Sequence, residues 1–357
     1  MPDKILRNNR GIALLVTLAI ITILIAVALE MNRKTRSVVF SAAASRDRIT
    51  LSYMASSGVD IAKAMLITDK NNSNHDSLQE EWADSEKISE LIQDIPFEDG
   101  TIKLTINDEL GKIQINSLVT YPEGHAFNEL QRDMWHRFLT ILISQNESLE
   151  DLEPDMIINS AKDWIDSGDD DGITGLNGAE SDYYQELDPP YVCRNGPFIH
   201  IGELALIRGV TREYFQLAGG VPGISRYMTV FGMSETDNNK FTYEGKININ
   251  TADLPVLTAI LPSGNQDFAQ AIYDYRLETS DSEYIHDLSS ITWYKKVPGL
   301  SDVEIDPQII TTSSDFFRIE SLATLHEMKM KITAIVKRVK NKKTGKWECR
   351  VLSWETE

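Results

Sequence analysis

Cysteine is scarce in this chain, with two in 357 residues, Cys193 and Cys349. A disulfide framework is therefore excluded, and one intramolecular bridge between those two residues is the most that can form. Histidine is scarce as well: the six residues are scattered and take no metal-ligand spacing. There is no G-x-S-x-G, no H-E-x-x-H and no P-loop, so no nucleophile elbow, zinc-protease helix or phosphate cradle can be read. Basic residues are outnumbered. Against 54 acids stand 35 Lys plus Arg, leaving a formal charge of −19. Such a field repels nucleic acid and anionic membrane surfaces, and it favours cationic partners and divalent metals. The 42% apolar content is that of a folding chain, and the length gives room for two or three domains.

Charge is absent altogether from Ile12 to Leu29. As a helix this run is about 27 Å long at roughly 1.5 Å per residue, close to the roughly 30 Å of a bilayer core. Lys4, Arg7 and Arg10 precede it, which predicts a cytoplasmic leader and an exported remainder. Three readings compete. Ala26-Val27-Ala28 fits the small-x-small rule of signal peptidase, and an uncleaved anchor is equally simple. Helical character, however, does not stop at Ala28. From Glu30 to about Thr68 there is no proline and one glycine, Gly58, while Val38, Ala42, Ile49, Met54, Ile61 and Met65 recur at helical spacing. That predicts a stalk continuous with the membrane helix. The apolar run also begins directly after Arg10-Gly11, which resembles the leaders cut by prepilin peptidase between the glycine and the apolar helix. Cleavage between Gly11 and Ile12 is the expectation. Pilins and pseudopilins commonly carry glutamate at the fifth mature position, which here is Val16.

Beyond the stalk, residues 68–77 read as a polar loop and Ser85–Asp94 as a short helix. "GTIKLTINDELGKIQIN" alternates on either side of Asp108–Gly111 and predicts a β-hairpin. At the carboxyl end "FFRIESLATL", "KMKITAIVKRV" and "KWECRVLSW" alternate as meander strands, the last two joined through Asn341–Gly345. The region between reads as mainly helical and repeats itself: "GKIQINSL" (111–118) echoes "GKININTA" (245–252), and each precedes an acid-Leu, Ile, apolar-Gly pattern typical of helix-hairpin-helix packing. Such hairpins often hold DNA phosphates, but the charge and the export signal oppose a nucleic-acid partner.

"DMIINSAKDWIDSGDDDGITGLNGAESDYY" (155–184) opens as a helix after Pro154 and ends near Asp166. Asp166, Asp169, Asp170, Asp171, Glu180 and Asp182 then crowd a glycine-rich loop. Hard oxygen ligands on flexible spacing suit Ca²⁺, which takes about six to eight oxygens. The loop is no EF-hand, because Thr174 stands where the sixth-place glycine is required. A solvated acidic loop and a catalytic carboxylate pair are the alternatives. Tyr183, Tyr184 and Tyr191 near Pro189-Pro190 read as packing residues that pin the loop, with a sugar platform as the alternative.

Taken together, "RGIALL", "INDELGKIQINSL", "DWIDSGDDDGITGLNGAESDYY", "PPYVCRNGPF", "ELALIRGV" and "KININTA" resemble, in order and spacing, the general secretion pathway protein K family. These are the largest minor pseudopilins of type II secretion systems. The resemblance implies an α+β, pilin-like fold: a long amino-terminal helix on an antiparallel sheet, with a large inserted helical domain holding the two repeats. It implies a leader over 1–11, a span over 12–29, a stalk over 30–68, sheet parts over 69–116 and 311–357, and the insertion over 117–310. It implies a place at the pseudopilus tip with minor pseudopilins I and J, further pseudopilins below, prepilin peptidase as processing enzyme, and an inner-membrane anchor with the bulk of the chain in the periplasm. Calcium would be held by Asp166, Asp169, Asp171, Glu180 and Asp182, with no enzyme activity. Family members also lack the fifth-residue glutamate. Partners are expected against Val38, Ala42 and Ile49 of the stalk. A minor pilin of a type IV pilus and an anchored periplasmic hydrolase are the competing functional readings.

Overall fold

The computed structural model of the chain describes residues 10–93, 100–144, 152–167, 172–216, 223–235 and 240–357. One helix runs unbroken from Arg10 to Asn72. Its lower part is solvent-exposed as far as Thr50, apart from a half-buried Asp47. From there Leu51, Met54, Ala55, Val59, Ala62 and Leu66 turn inward at three- and four-residue steps and bury one face against a sheet. The single stalk glycine has a reason: a Cβ on Gly58 would lie 2.2 Å from Ser321 Oγ and 3.1 Å from Ile102, so only glycine lets helix and sheet approach this closely.

The sheet is antiparallel, with strands Thr101–Asp108, Phe316–Leu325, Met328–Lys340 and Trp347–Thr356 side by side in that order. Alternation delivers Ile102, Leu104 and Ile106 of the first strand to the helix side, where Phe317, Ile319 and Ala323 of the second join them. Ile332, Ala334 and Val336 continue the face, and Trp82, Ile88 and Ile92 close it from the region of the short helix Ser85–Gln93. The last strand carries a bulge opposite Ile335/Val336.

The expected hairpin over 100–116 does not form. Thr101–Asp108 pairs instead with Phe316–Leu325, more than two hundred positions away, and Ile113–Gln114 pairs in parallel with Met228–Thr229. Asp108 and Glu109 are the cause. They do not cross a solvent turn; both are buried, where polar partners from distant segments hold them.

Between the first and second strands of the sheet lies a second core, built from helices Glu129–Ser144, Pro154–Ile165 and Leu254–Ile260 and the loops around them. The repeat seen in the sequence is structural. Ile113–Gln114 pairs with Met228–Thr229, and Ile247–Asn248 pairs in the same parallel sense with Ile310–Thr311. Asn116 Nδ2 donates to Phe198 O at 3.0 Å, and Asn250 Nδ2 to Leu288 O at 3.2 Å. Each half then turns at a left-handed glycine, Gly209 (φ 89°) and Gly299 (φ 91°). The halves clasp reciprocally: a Cβ on Gly111 would lie 2.8 Å from Thr251 Oγ1, and one on Gly245 would lie 2.5 Å from Ser117.

Cys193 is buried in this second core, whereas Cys349 lies against the stalk-and-sheet core. The one bridge the sequence allows does not join them: the two thiols belong to separate packing units.

Candidate functional site

The acidic site begins with the helix Pro154–Ile165. Proline suits its first turn, Ile157, Ile158, Ala161 and Trp164 bury its apolar face, and Asp166 ends it in an extended conformation. Asp163 points inward from the last turn and is fully buried. Glu180 is the residue before the short helix Ser181–Gln185, and it too is buried. One carboxylate oxygen from each of Asp163, Asp166 and Glu180 lies within 4.8 Å of the others. Lys162 Nζ reaches Asp166 Oδ2 at 2.5 Å, while the buried Asp166 Oδ1 has no hydrogen-bond partner among the described residues. Thr174 N donates to both oxygens of Asp163 at 3.1 Å. Burial raises the Asp163 carboxyl above its ordinary pKa, against the Thr174 hydrogen bonds and Lys162.

The loop above is held on this cluster. A Cβ on Gly178 would lie 2.1 Å from Asp163 Oδ2, so glycine is needed for the backbone to pass over the carboxylate. Arg208 Nη1 donates to Gly178 O at 3.2 Å, and Asn177 Nδ2 to Glu153 Oε2 at 2.8 Å. Tyr184 packs between Trp164 and Tyr191, each ring centroid 5.2 Å away, and Tyr191 Oη donates to Leu206 O, so the tyrosines fasten the loop.

Of the five expected ligands, Asp166 and Glu180 come together. Asp182 is exposed on the first turn of its helix and stands apart from the cluster. Asp169 and Asp171 lie outside the described residues. Asp163 was not among the expected ligands: inside an apolar helical face it reads as a tolerated polar residue. Its usable signal is the three-residue step to Asp166 at the end of a helix that opens into acids.

The stalk contributes a second kind of site. The stretch Ile12–Leu29 is exposed throughout and belongs to the one helix, among the described residues, long and apolar enough to cross a membrane. Gly11 would admit a Cβ with nothing within 4 Å, so its identity is not required for packing. Above the span, Met31, Thr35, Val38, Ala42, Ser45 and Ile49 follow alternating four- and three-residue steps and are all exposed. Small and apolar residues at that spacing form the seam that a second helix packs into. Val38, Ala42 and Ile49, the expected partner residues, lie on it.

Between the sheet and the helical domain sits a buried polar junction. Asp108 accepts from Leu110 N (2.7 Å), Asn248 Nδ2 (2.8 Å) and Thr251 Oγ1 (2.7 Å). Burial raises its pKa to about 6, although those donors favour the charged form. Its neighbour Glu109 behaves oppositely. Burial would raise it, but Lys112 and Arg318, at 2.8 and 2.7 Å from Oε1, outweigh burial and hold it at about 2. Thr229 Oγ1 donates to its other oxygen at 2.5 Å.

Residues 111–218 match the family described as type II secretion system (T2SS), protein K. All three clustered carboxylates fall inside the matched stretch. Over 222 residues the chain is 27% identical to type II secretion system protein K of Aeromonas hydrophila, covering 59% of this chain and 62% of that one. It is 26% identical over 210 residues to the protein K of Klebsiella pneumoniae, covering 58% and 60%. The similarity to the protein K of Pseudomonas aeruginosa is 24% over 260 residues, covering 71% and 68%. The chain thus spans about three fifths of the length of the first of these relatives. In structure it is similar to a chain of the GspK-GspI-GspJ complex from enterotoxigenic Escherichia coli. The TM-score is 0.60 at 18% identity, covering 88% of this chain and 98% of that one. At that identity the likeness is one of fold: a pilin-like helix and sheet, with a helical domain inserted.

Proposed function

We propose that this chain is a minor pseudopilin at the tip of a type II secretion pseudopilus, anchored in the inner membrane until it assembles and exposing its bulk to the periplasm. The observation that carries this reading is the single helix that runs from an exposed apolar span to a sheet bearing a protein K domain. A stalk with an open heptad seam needs neighbours along its length, and minor pseudopilins I and J are the partners we assign to it. The helical domain adds bulk beside the sheet, which suits a subunit that nothing stacks upon. The role is structural and not catalytic. The test is co-purification of the exported part with minor pseudopilins I and J, in which a stable ternary complex is the expected result.

We further infer that the carboxylate cluster holds Ca²⁺. Three buried acids face each other with Lys162 as their nearby cation, and among the described residues Asp166 Oδ1 has no hydrogen-bond partner, as suits an oxygen that takes a hard cation. Asp163, Asp166 and Glu180 would supply the described ligands, with Asp169 and Asp171 the nearest further candidates in sequence. Bound calcium would neutralise the cluster and fix the loop over it. Calorimetric titration of the chelated protein with calcium, against Glu180→Gln, tests this assignment.

A further inference from the structure

Three cations follow the membrane span directly, in a chain whose overall charge is −19. Arg33, Lys34 and Arg36 are exposed on the unbroken helix, and Glu30 is the one acid near them, pairing with Arg33 at 3.0 Å. At about 100° per residue the three side chains cover roughly 160° of the helix surface. The heptad seam of Met31, Thr35 and Val38 occupies the opposite side, so cations and partner seam do not compete for one face. At roughly 1.5 Å per residue they stand about 6–10 Å beyond Leu29. A headgroup layer adds only about 5–8 Å to each side of the hydrocarbon core, so Arg33 and Lys34 lie at its level and Arg36 at its outer edge, within reach of a long side chain. The next basic residue, Arg46, is about 25 Å from Leu29 on the same rise, beyond a Debye length of about 8 Å. The cationic band is therefore a local feature of the membrane exit.

Resting on the membrane reading above, we propose that Arg33, Lys34 and Arg36 form a collar that binds the phosphates of anionic lipids where the helix leaves the bilayer. Long basic side chains suit this place, since their stems lie along the apolar boundary while their heads reach phosphate. The acidic body above is repelled by the same surface, so collar and body together hold the stalk upright.

The test uses the full chain in lipid nanodiscs, either neutral phosphatidylcholine or phosphatidylcholine with one third phosphatidylglycerol. Amide hydrogen exchange is followed over residues 33–40. A basic residue near an anionic surface strengthens binding about fivefold, so two net cations predict roughly 25-fold tighter engagement. Exchange should slow about tenfold or more in the anionic discs at low salt. The difference should vanish in 0.5 M salt and in Arg33→Gln/Lys34→Gln/Arg36→Gln. It should persist in Arg46→Gln/Arg48→Gln. Equal exchange in both disc types, or protection that survives the triple substitution, would overturn the collar. Protection that appears only on adding a second pseudopilin, equally in both discs, would assign the cations to an acidic partner helix and overturn it too. A chain retained in neither disc would contradict the membrane reading itself.

Discussion

Arg338 Nη2 lies 2.5 Å from Asp76 Oδ1, and both side chains are completely buried. Arg338 belongs to the third strand of the sheet and Asp76 to the loop just beyond the stalk, so this pair fastens stalk to sheet. Arg338 Nη1 also reaches Asp69 Oδ2 at 3.0 Å on the last turns of the stalk, and the guanidinium lies 4.6 Å from the Phe317 ring centroid. Removing one member of a buried pair strands the other. Arg338→Met should therefore cost about 3–5 kcal/mol. Urea unfolding of the chain lacking its apolar span measures the loss, and Arg338→Met/Asp76→Leu should recover part of it.

Glu109 sets an acid limit on the junction. Its folded pKa of about 2 lies below the ordinary 4.5, so it contributes stability that is present above pH 4.5 and lost as pH falls towards 2. The difference between those values amounts to about 3 kcal/mol. Glu109→Gln should be less stable than the parent by about that amount at pH 7, and the gap should narrow through that window. Stability against pH for the two proteins checks this. A gap that is constant between pH 5 and 2 would show that the carboxylate charge is not the source.

Chelation should destabilise the helical domain. An ion that binds only the folded state at a hundredfold excess over its Kd adds about 2.7 kcal/mol. At about 2–4 °C per kcal/mol for a domain of this size, removing calcium should lower Tm by roughly 5–10 °C. Asp163→Asn/Glu180→Gln should abolish the difference. An identical melting curve with and without chelator would contradict the calcium assignment.

Gly11→Val should block processing without disturbing the helix, because a side chain there meets nothing. Mass spectrometry should find a mature chain starting at Ile12 in the parent and an intact leader in the variant, with secretion lost. A mature end at Leu29 would identify signal peptidase as the enzyme instead.

Val38 and Ile49 are 67% and 59% exposed, so charging them should leave the isolated fold intact. A branched side chain buried at an interface contributes about 1.5–3 kcal/mol. Val38→Asp/Ile49→Asp should therefore weaken the complex with minor pseudopilins I and J by about a hundredfold or more, with Tm of the free protein unchanged. Equal affinity would remove the seam from the interface.

The long elements were legible in the sequence because one period governed each. The stalk kept its helical spacing into Met65, and the structure carries it to Asn72. The three carboxyl-terminal strands alternate where expected, and the "GKIQINSL"/"GKININTA" echo became paired strands and matched turns. The hairpin over 100–116 is expected but not formed: alternation says which face is buried and not which strand is adjacent. The true partner of Thr101–Asp108 enters after the insertion, and nothing local marks it. Asp163 was missed for a related reason: its role depends on Glu180, seventeen positions on, being folded back against the helix end. Burial of Asp108 and Glu109 was equally hidden, since two adjacent acids before a glycine look like a surface turn.

A tip subunit is set apart from a shaft subunit by its position within the filament. Immunogold labelling of this chain on assembled pseudopili is the most direct test of that position. The account predicts gold at one end of each filament and none along the shaft. Gold distributed along the shaft would contradict it.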